Sequence, residues 1–252
     1  MTPCPKCAHR NADGDTICGA CGLVFAKYEA HQARLTAAAS APAGGGDASR
    51  GATPPWYAPM GYVPASVPLW EVAGRALTWC VLLIWGLWFI GTNHTALQGG
   101  LPEINTSWMH NVNLIFHEAG HVLFGVFGRF VGVLGGSLMQ LIVPGVVLYA
   151  FVWRYANPFG GVVGAWWFGQ SLLDIAPYAY DAKRQQMLLL GGGTGSDRPG
   201  WHDWHNILTD LGLLDAHARV AWCVDALGVL IMLASLAWGA WLLKRQWAVV
   251  QR

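Results

Sequence analysis

Charge is scarce in this chain: only 12% of its 252 residues are Asp, Glu, Lys or Arg, about half the roughly 25% of an ordinary soluble domain. The formal net charge is +1, and no basic stripe or RNA-binding signature is present, which argues against a nucleic-acid partner. The first 25 residues also lack the apolar run of a secretory leader and hold cysteines and polar residues instead. No cleavable signal peptide is expected, and the first apolar run, from about Leu69, would serve as an uncleaved anchor. No internal repeat is visible.

What is abundant is apolar surface, 54% of the residues, and tryptophan, with 15. Five apolar stretches follow residue 68, each near the roughly 20 residues a bilayer-spanning helix needs. They run from about Leu69 to Gly91, Asn111 to Phe127, Phe130 to Trp153, Phe159 to Tyr180 and Val220 to Leu243. Trp70, Trp108, Trp153, Trp222 and Trp247 fall near the ends of these runs, where an amphipathic indole suits the lipid–water boundary. Gly135-Gly136 and Pro144-Gly145 interrupt the third stretch, which is therefore read either as a span or as a re-entrant segment. The distribution of Lys and Arg favours a cytosolic N-terminus.

The six cysteines divide into two groups. Cys80 and Cys223 lie singly in apolar runs and read as small buried side chains. Cys4, Cys7, Cys18 and Cys21 form two CxxC knuckles, and four thiolates make a closed tetrahedral site suited to structural zinc. Gly19 and Gly22 flank Cys21 as tight knuckle turns require. So short a segment, almost without an apolar core, would gain its fold from the metal. A redox dithiol is the rival reading. The pattern over residues 4 to 25 resembles the zinc-ribbon family. Its thiolates need a reducing compartment, again a cytosolic N-terminus. The module would serve for recognition or docking of a cytosolic protein partner.

A second motif, His117-Glu118-Ala119-Gly120-His121, lies in the second apolar stretch. On a helix, positions i and i+4 share a face, so the two imidazoles converge on one metal ion with Glu118 beside them as the catalytic base. Nine His and four Glu in the chain predict about 0.005 such motifs by chance. An ionisable cluster inside a membrane helix costs roughly 2.5 kcal/mol or more for an acidic group, and so marks function by default. Zinc held by two protein ligands needs a third, leaving a fourth position for water. Two candidates stand out. Asp174 lies on a polar stripe with Gln170, Tyr178 and Asp181. His202, next to Asp203 as an orienting carboxylate, is preferred because neutral imidazole keeps the water more acidic. His205 reads as a surface histidine, and Tyr178 as an interfacial tyrosine that could also stabilise an oxyanion.

An HExxH motif in a membrane helix, with an Asp two spans later, resembles the site-2 protease family of intramembrane zinc metalloproteases. The resemblance covers about residues 108 to 181. It implies that His117, His121 and Asp174 hold the zinc and that Glu118 is the base. Ile175 follows Asp174, where the family usually has Gly, and no PDZ-like insertion is present. The expected fold class is an all-α polytopic membrane protein of about five transmembrane segments with a small N-terminal zinc ribbon. Its parts would be the ribbon over 1–28, a flexible linker over 29–68 and a membrane domain over 69–252. The expected cofactors are two Zn2+, one catalytic and one structural. The expected activity is hydrolysis of transmembrane or membrane-proximal peptides, in a bacterial inner membrane. A non-catalytic metal-binding membrane adaptor or sensor is the alternative.

Overall fold

The computed structural model describes residues 2–29, 32, 56–92, 94 and 101–251. The chain forms two compact units, Met1–Pro54 and Pro55–Arg252. Of the linker expected over 29–68, residues 30, 31 and 33–55 lie outside the described residues. Residues 56–68 belong to the second unit, which they join through bonds from the indoles of Trp153 and Trp238 to the carbonyls of Trp56 and Met60.

In the first unit, β1 (Thr2–Pro3) pairs antiparallel with β2 (Arg10–Asn11), and the two knuckles repeat one geometry. The amide of Ala8 reaches the carbonyl of Cys4, and that of Gly22 the carbonyl of Cys18. Both turning residues are left-handed, at φ 59° and 70°. Gly22 adopts that conformation without the steric cost of a Cβ, which explains its place after Cys21.

The second unit is mostly helical. Its helices are α1 (Leu69–Gly91), α2 (Trp108–Phe124), α3 (Arg129–Tyr149), α4 (Pro158–Asp181), α5 (Asp203–Asp210) and α6 (His217–Trp247). A short parallel pair, β3 (Val67–Pro68) with β4 (Val250–Gln251), joins the two ends of the unit. Among the described residues, three segments are long and apolar enough to cross a membrane: Leu69–Gly91, Arg129–Arg154 and Leu214–Trp247. They make this an integral membrane protein by composition.

Five spans were expected, and α2 and α4 fall short of that standard for physical reasons. α2 has 17 residues, about 26 Å at 1.5 Å per residue, and carries the motif's polar side chains. α4 has 24 residues, but Gln170, Asp174 and many glycines dilute its hydropathy. It is also the most enclosed helix, with Leu172, Leu173, Asp174, Ile175 and Ala176 all buried. Helices at the centre of a bundle can carry polar groups that lipid would not tolerate. The Gly-Gly and Pro-Gly steps do not break the third stretch. It runs as α3 and continues through a π turn over Ala150–Arg154.

Glycines set how closely the helices cross. A Cβ on Gly120 of α2 would lie 2.1 Å from the Gly135 carbonyl oxygen of α3, and one on Gly228 of α6 would lie 2.9 Å from the Gly169 oxygen of α4. Small residues at such crossings let backbones touch. The core between α1, α4 and α6 contains Leu82, Phe89, Trp166, Leu173, Met232 and Leu236. Cys80 and Cys223, expected to be buried, are exposed instead. They lie on the outer faces of α1 and α6, where a small apolar side chain suits lipid as well as it suits a core. Trp70, Trp108, Trp222 and Trp247 are likewise exposed near helix ends.

Candidate metal centres

The cysteine cluster has the dimensions of a metal site. Cys4 Sγ lies 3.7 Å from Cys21 Sγ, and Cys7 Sγ lies 3.7 Å from Cys18 Sγ. Four thiolates at about 2.3 Å from a tetrahedral ion sit about 3.8 Å apart, so the spacing fits. All four cysteines are free thiols. Burial works to raise the Cys18 thiol, but the backbone N–H groups of Cys21 and Ala20 outweigh it and bring it down to about 6. That favours a ligating thiolate.

The second centre is built on α2. Seen from its axis, His117 and His121 stack one turn apart, with ring centroids 4.8 Å apart. Each ring has its Nδ1 engaged: that of His117 with Gln140 Oε1 at 3.2 Å, and that of His121 with the Gly132 carbonyl at 2.9 Å. Both partners accept, so Nδ1 carries the proton in each ring and Nε2 presents its lone pair. The two Nε2 atoms meet one carboxylate oxygen, Asp203 Oδ2, at 3.1 and 3.2 Å. Two lone pairs facing an anion need a cation among them, either a metal ion or, without one, protons on the rings. Ligands at about 2.1 Å from a tetrahedral ion lie about 3.4 Å apart, close to the spacing seen. His117, His121 and Asp203 could therefore hold a metal ion.

The carboxylate grouped with the two imidazoles is Asp203; His202 and Asp174, the third ligands weighed from the sequence, are not in that group. His202 is the N-cap of α5: its Nδ1 accepts from the His205 amide at 3.2 Å. Its Nε2 then donates to Asp181 Oδ2 at 3.3 Å, and both residues are fully buried. Asp203, the first helical residue, projects the other way, toward the imidazoles. The roles given to the neighbours 202 and 203 are exchanged: the histidine positions and the carboxylate faces the site. Burial works to raise the Asp203 carboxyl, but hydrogen bonds from His117 and His121 outweigh it and hold it at about 2.

Asp174 stands one residue behind the site. Its Oδ2 accepts from Gln140 Nε2 at 2.9 Å, and Gln140 in turn holds His117. Asn113 Nδ2 and His110 Nδ1 also reach its carboxylate, at 3.2 and 3.0 Å. Tyr178 is no interfacial tyrosine; its hydroxyl accepts from the Asp203 amide at 2.9 Å. His205 bonds the Ala182 carbonyl. α5 is fixed to α3 by Trp204 Nε1 donating to Ser137 Oγ at 3.2 Å and by Arg129 donating to Asp210 at 2.6 Å.

A cleft of about 770 Å³ opens beside the donors. Glu118 lines it next to His117, and Met187–Gly192 with Gly200 and Trp201, at the glycine-rich loop, form another part of its wall. That loop is a folded wall: Leu188 bridges to Thr194, and Asp197 Oδ2 accepts from the Thr194 amide and hydroxyl. The sequence signal for Asp203 was the acidic residue opening a helix beside two histidines.

Fold and donors together define a helical membrane protein with two side-chain clusters able to hold metal. Comparison with known proteins finds no matching family model, no similar curated protein and no similar solved structure.

Proposed function

We propose that the chain is a membrane-embedded zinc metalloprotease acting on transmembrane or membrane-proximal peptides. One observation carries this reading: His117 Nε2, His121 Nε2 and Asp203 Oδ2 converge at the wall of a cleft that Glu118 also lines. Two imidazoles and one carboxylate with an open side form the donor set of hydrolytic zinc, whereas structural sites are closed by four protein ligands. The open side favours the enzyme over a metal-storing adaptor. His117, His121 and Asp203 would hold the ion, which supplies a water acidified to a pKa of about 7 and polarises the scissile carbonyl. Glu118 takes the proton from the attacking water and returns it to the leaving amine. Tyr178 and His202 hold Asp203 in place, and Gln140 with Asp174 holds His117.

The site-2 protease resemblance then rests on His117, Glu118 and His121, with Asp203 in the part that the family gives to the residue matching Asp174. The cleft's leucines suit an apolar segment whose helix has opened locally. The cysteine module would bind a structural zinc and dock a cytosolic partner, with the N-terminus on the cytosolic side of a bacterial inner membrane.

The test is Glu118→Gln in the full chain, reconstituted in vesicles with transmembrane peptides. New peptide termini should appear with the wild type and fall by about 10²–10⁴-fold in the variant, with two metal ions per chain retained in both. Undiminished cleavage would remove Glu118 from the mechanism. A wild-type chain holding only the cysteine-bound ion would end the proposal.

A further inference from the structure

The cleft extends past the metal donors along α2. His110, Leu114 and His117 line it on successive turns, and the seven steps from His110 to His117 span about 10 Å. The lining along this length is mixed, Leu101, Leu114, Ile175 and Leu190 with Asn111, Gln140 and Asp174. One polar group of it is not used by the proposed hydrolysis. Asn105, in a short 3-10 turn just before α2, is 2% exposed and lines the cleft.

Its amide orientation is fixed by its neighbours. Asn105 Nδ2 donates to the Asp174 carbonyl at 3.0 Å and to Asp174 Oδ1 at 2.9 Å, using both protons on acceptors. Oδ1 is left buried with no hydrogen-bond partner among the described residues. A buried acceptor without a partner costs free energy unless a ligand completes it. His110 stands beside it, its Nδ1 3.0 Å from the same carboxylate and 3.3 Å from Asn105 Nδ2. One unpartnered acceptor, anchored through Asp174, therefore stands at the cleft that also holds the metal donors.

We infer that Asn105, beside His110, forms a specificity subsite that takes a hydrogen-bond donor of the substrate, a side-chain amide or hydroxyl inside an otherwise apolar segment. An extended chain rises about 3.3 Å per residue, so the subsite reads a position about three residues from the bond beside Glu118. This deepens the proteolytic reading and rests on it for the meaning of that spacing. Asp174 gains a second task here, since one carboxylate orders the metal-side amide Gln140 and the subsite amide Asn105.

The experiment uses the full-length chain in phosphatidylcholine vesicles and a Leu/Ala transmembrane peptide carrying a single Asn, moved one position at a time. Two readouts are taken: the cleavage position with the wild type, and peptide affinity by fluorescence transfer with Glu118→Gln. The cleavage point should follow the Asn at a fixed separation of about three residues. The Asn peptide should bind about tenfold more tightly than the all-Leu/Ala peptide. Asn105→Ala should erase that preference, so that the two peptides bind alike. Asn105→Ser, a smaller change that keeps an acceptor, should preserve part of it and guards against misfolding. Cleavage and affinity indifferent to the Asn would overturn the subsite and leave the protease standing. Asn-dependent binding without any cleavage would overturn the protease and leave the subsite.

Discussion

His117 and His121 each have one ring nitrogen committed to a partner, Gln140 Oε1 and the Gly132 carbonyl, and a ring that loses such a partner is free to turn from the metal. Gln140→Leu should therefore weaken the second site's metal affinity by about 10–100-fold, measured by competition with a chromophoric chelator. Asp174→Asn should act in the same direction through Gln140, although Asp174 touches neither ring.

Asp203 adds a pH dependence whose sign follows from its depressed carboxyl. Its folded value, about 2, lies below the ordinary 3.8. The stabilisation it gives the metal-free protein, which needs charged imidazoles beside it, is full between about pH 4 and 6.5 and is lost as pH falls through 2. The difference in melting temperature between wild type and Asp203→Asn should stay constant from pH 6 to 5 and shrink in stronger acid.

At this scale the sequence was legible where spacing decides, as in the imidazole pair. It was not legible where a cap decides. Residues 202 and 203 were both weighed for the site, but only the fold shows that the helix begins between them. That boundary turns His202 toward Asp181 and Asp203 toward the rings.

Between α2 and α3 the contact is made by glycine. An ideal Cβ on Gly136 would lie 2.6 Å from Nε2 of both His117 and His121, which is nearly where an ion bound to both would sit. Gly136→Ala should cost the chain its second metal and leave the cysteine-bound one, so metal analysis should fall from two ions to one. Gly120→Ala meets the Gly135 carbonyl instead and should destabilise the bundle by about 1–3 kcal/mol, seen as a lower unfolding midpoint in detergent.

The GGSLMQ stretch had suggested either close approach of substrate or helix packing. It packs, and Gly136 also walls the metal position. Hydropathy set the limits of 130–153 and 159–180 to within a residue, against Arg129–Arg154 and Pro158–Asp181, but missed those of 111–127 and 220–243, which are Trp108–Phe124 and His217–Trp247, by three to four. The membrane status of α2 and α4 was harder to read, because Asn113, Gln170 and Asp174 pair with one another inside the bundle. Window hydropathy counts such groups as if they faced lipid.

The molecule as a whole keeps its two clusters in separate compact units. Cys4→Ser with Cys7→Ser should remove one metal ion per chain and leave the Glu118-dependent reaction at wild-type rate. Loss of the reaction would mean that the N-terminal unit contributes to turnover. The mostly helical character of the second unit and the cysteine knuckles were plain from the sequence. The cleft wall at the glycine-rich loop was not, since GGGTGSDRPG reads as a loose connection. Its shape comes from Asp181, Thr194 and Asp197 bonding backbone amides around it.

One donor reaches the metal position from far along the chain, since Asp203 lies 86 positions after His117 and directly follows that wall. An ion gripped by all three donors would act as a clasp fastening the stretch between α4 and α5 to the bundle. Stripping the ion would then unfasten the cleft wall as well as stop the chemistry. Trypsin should cut at Arg198 faster after chelation, at a rate set by the unclasped fraction. Metal occupancy and the integrity of the wall are, on this view, a single equilibrium.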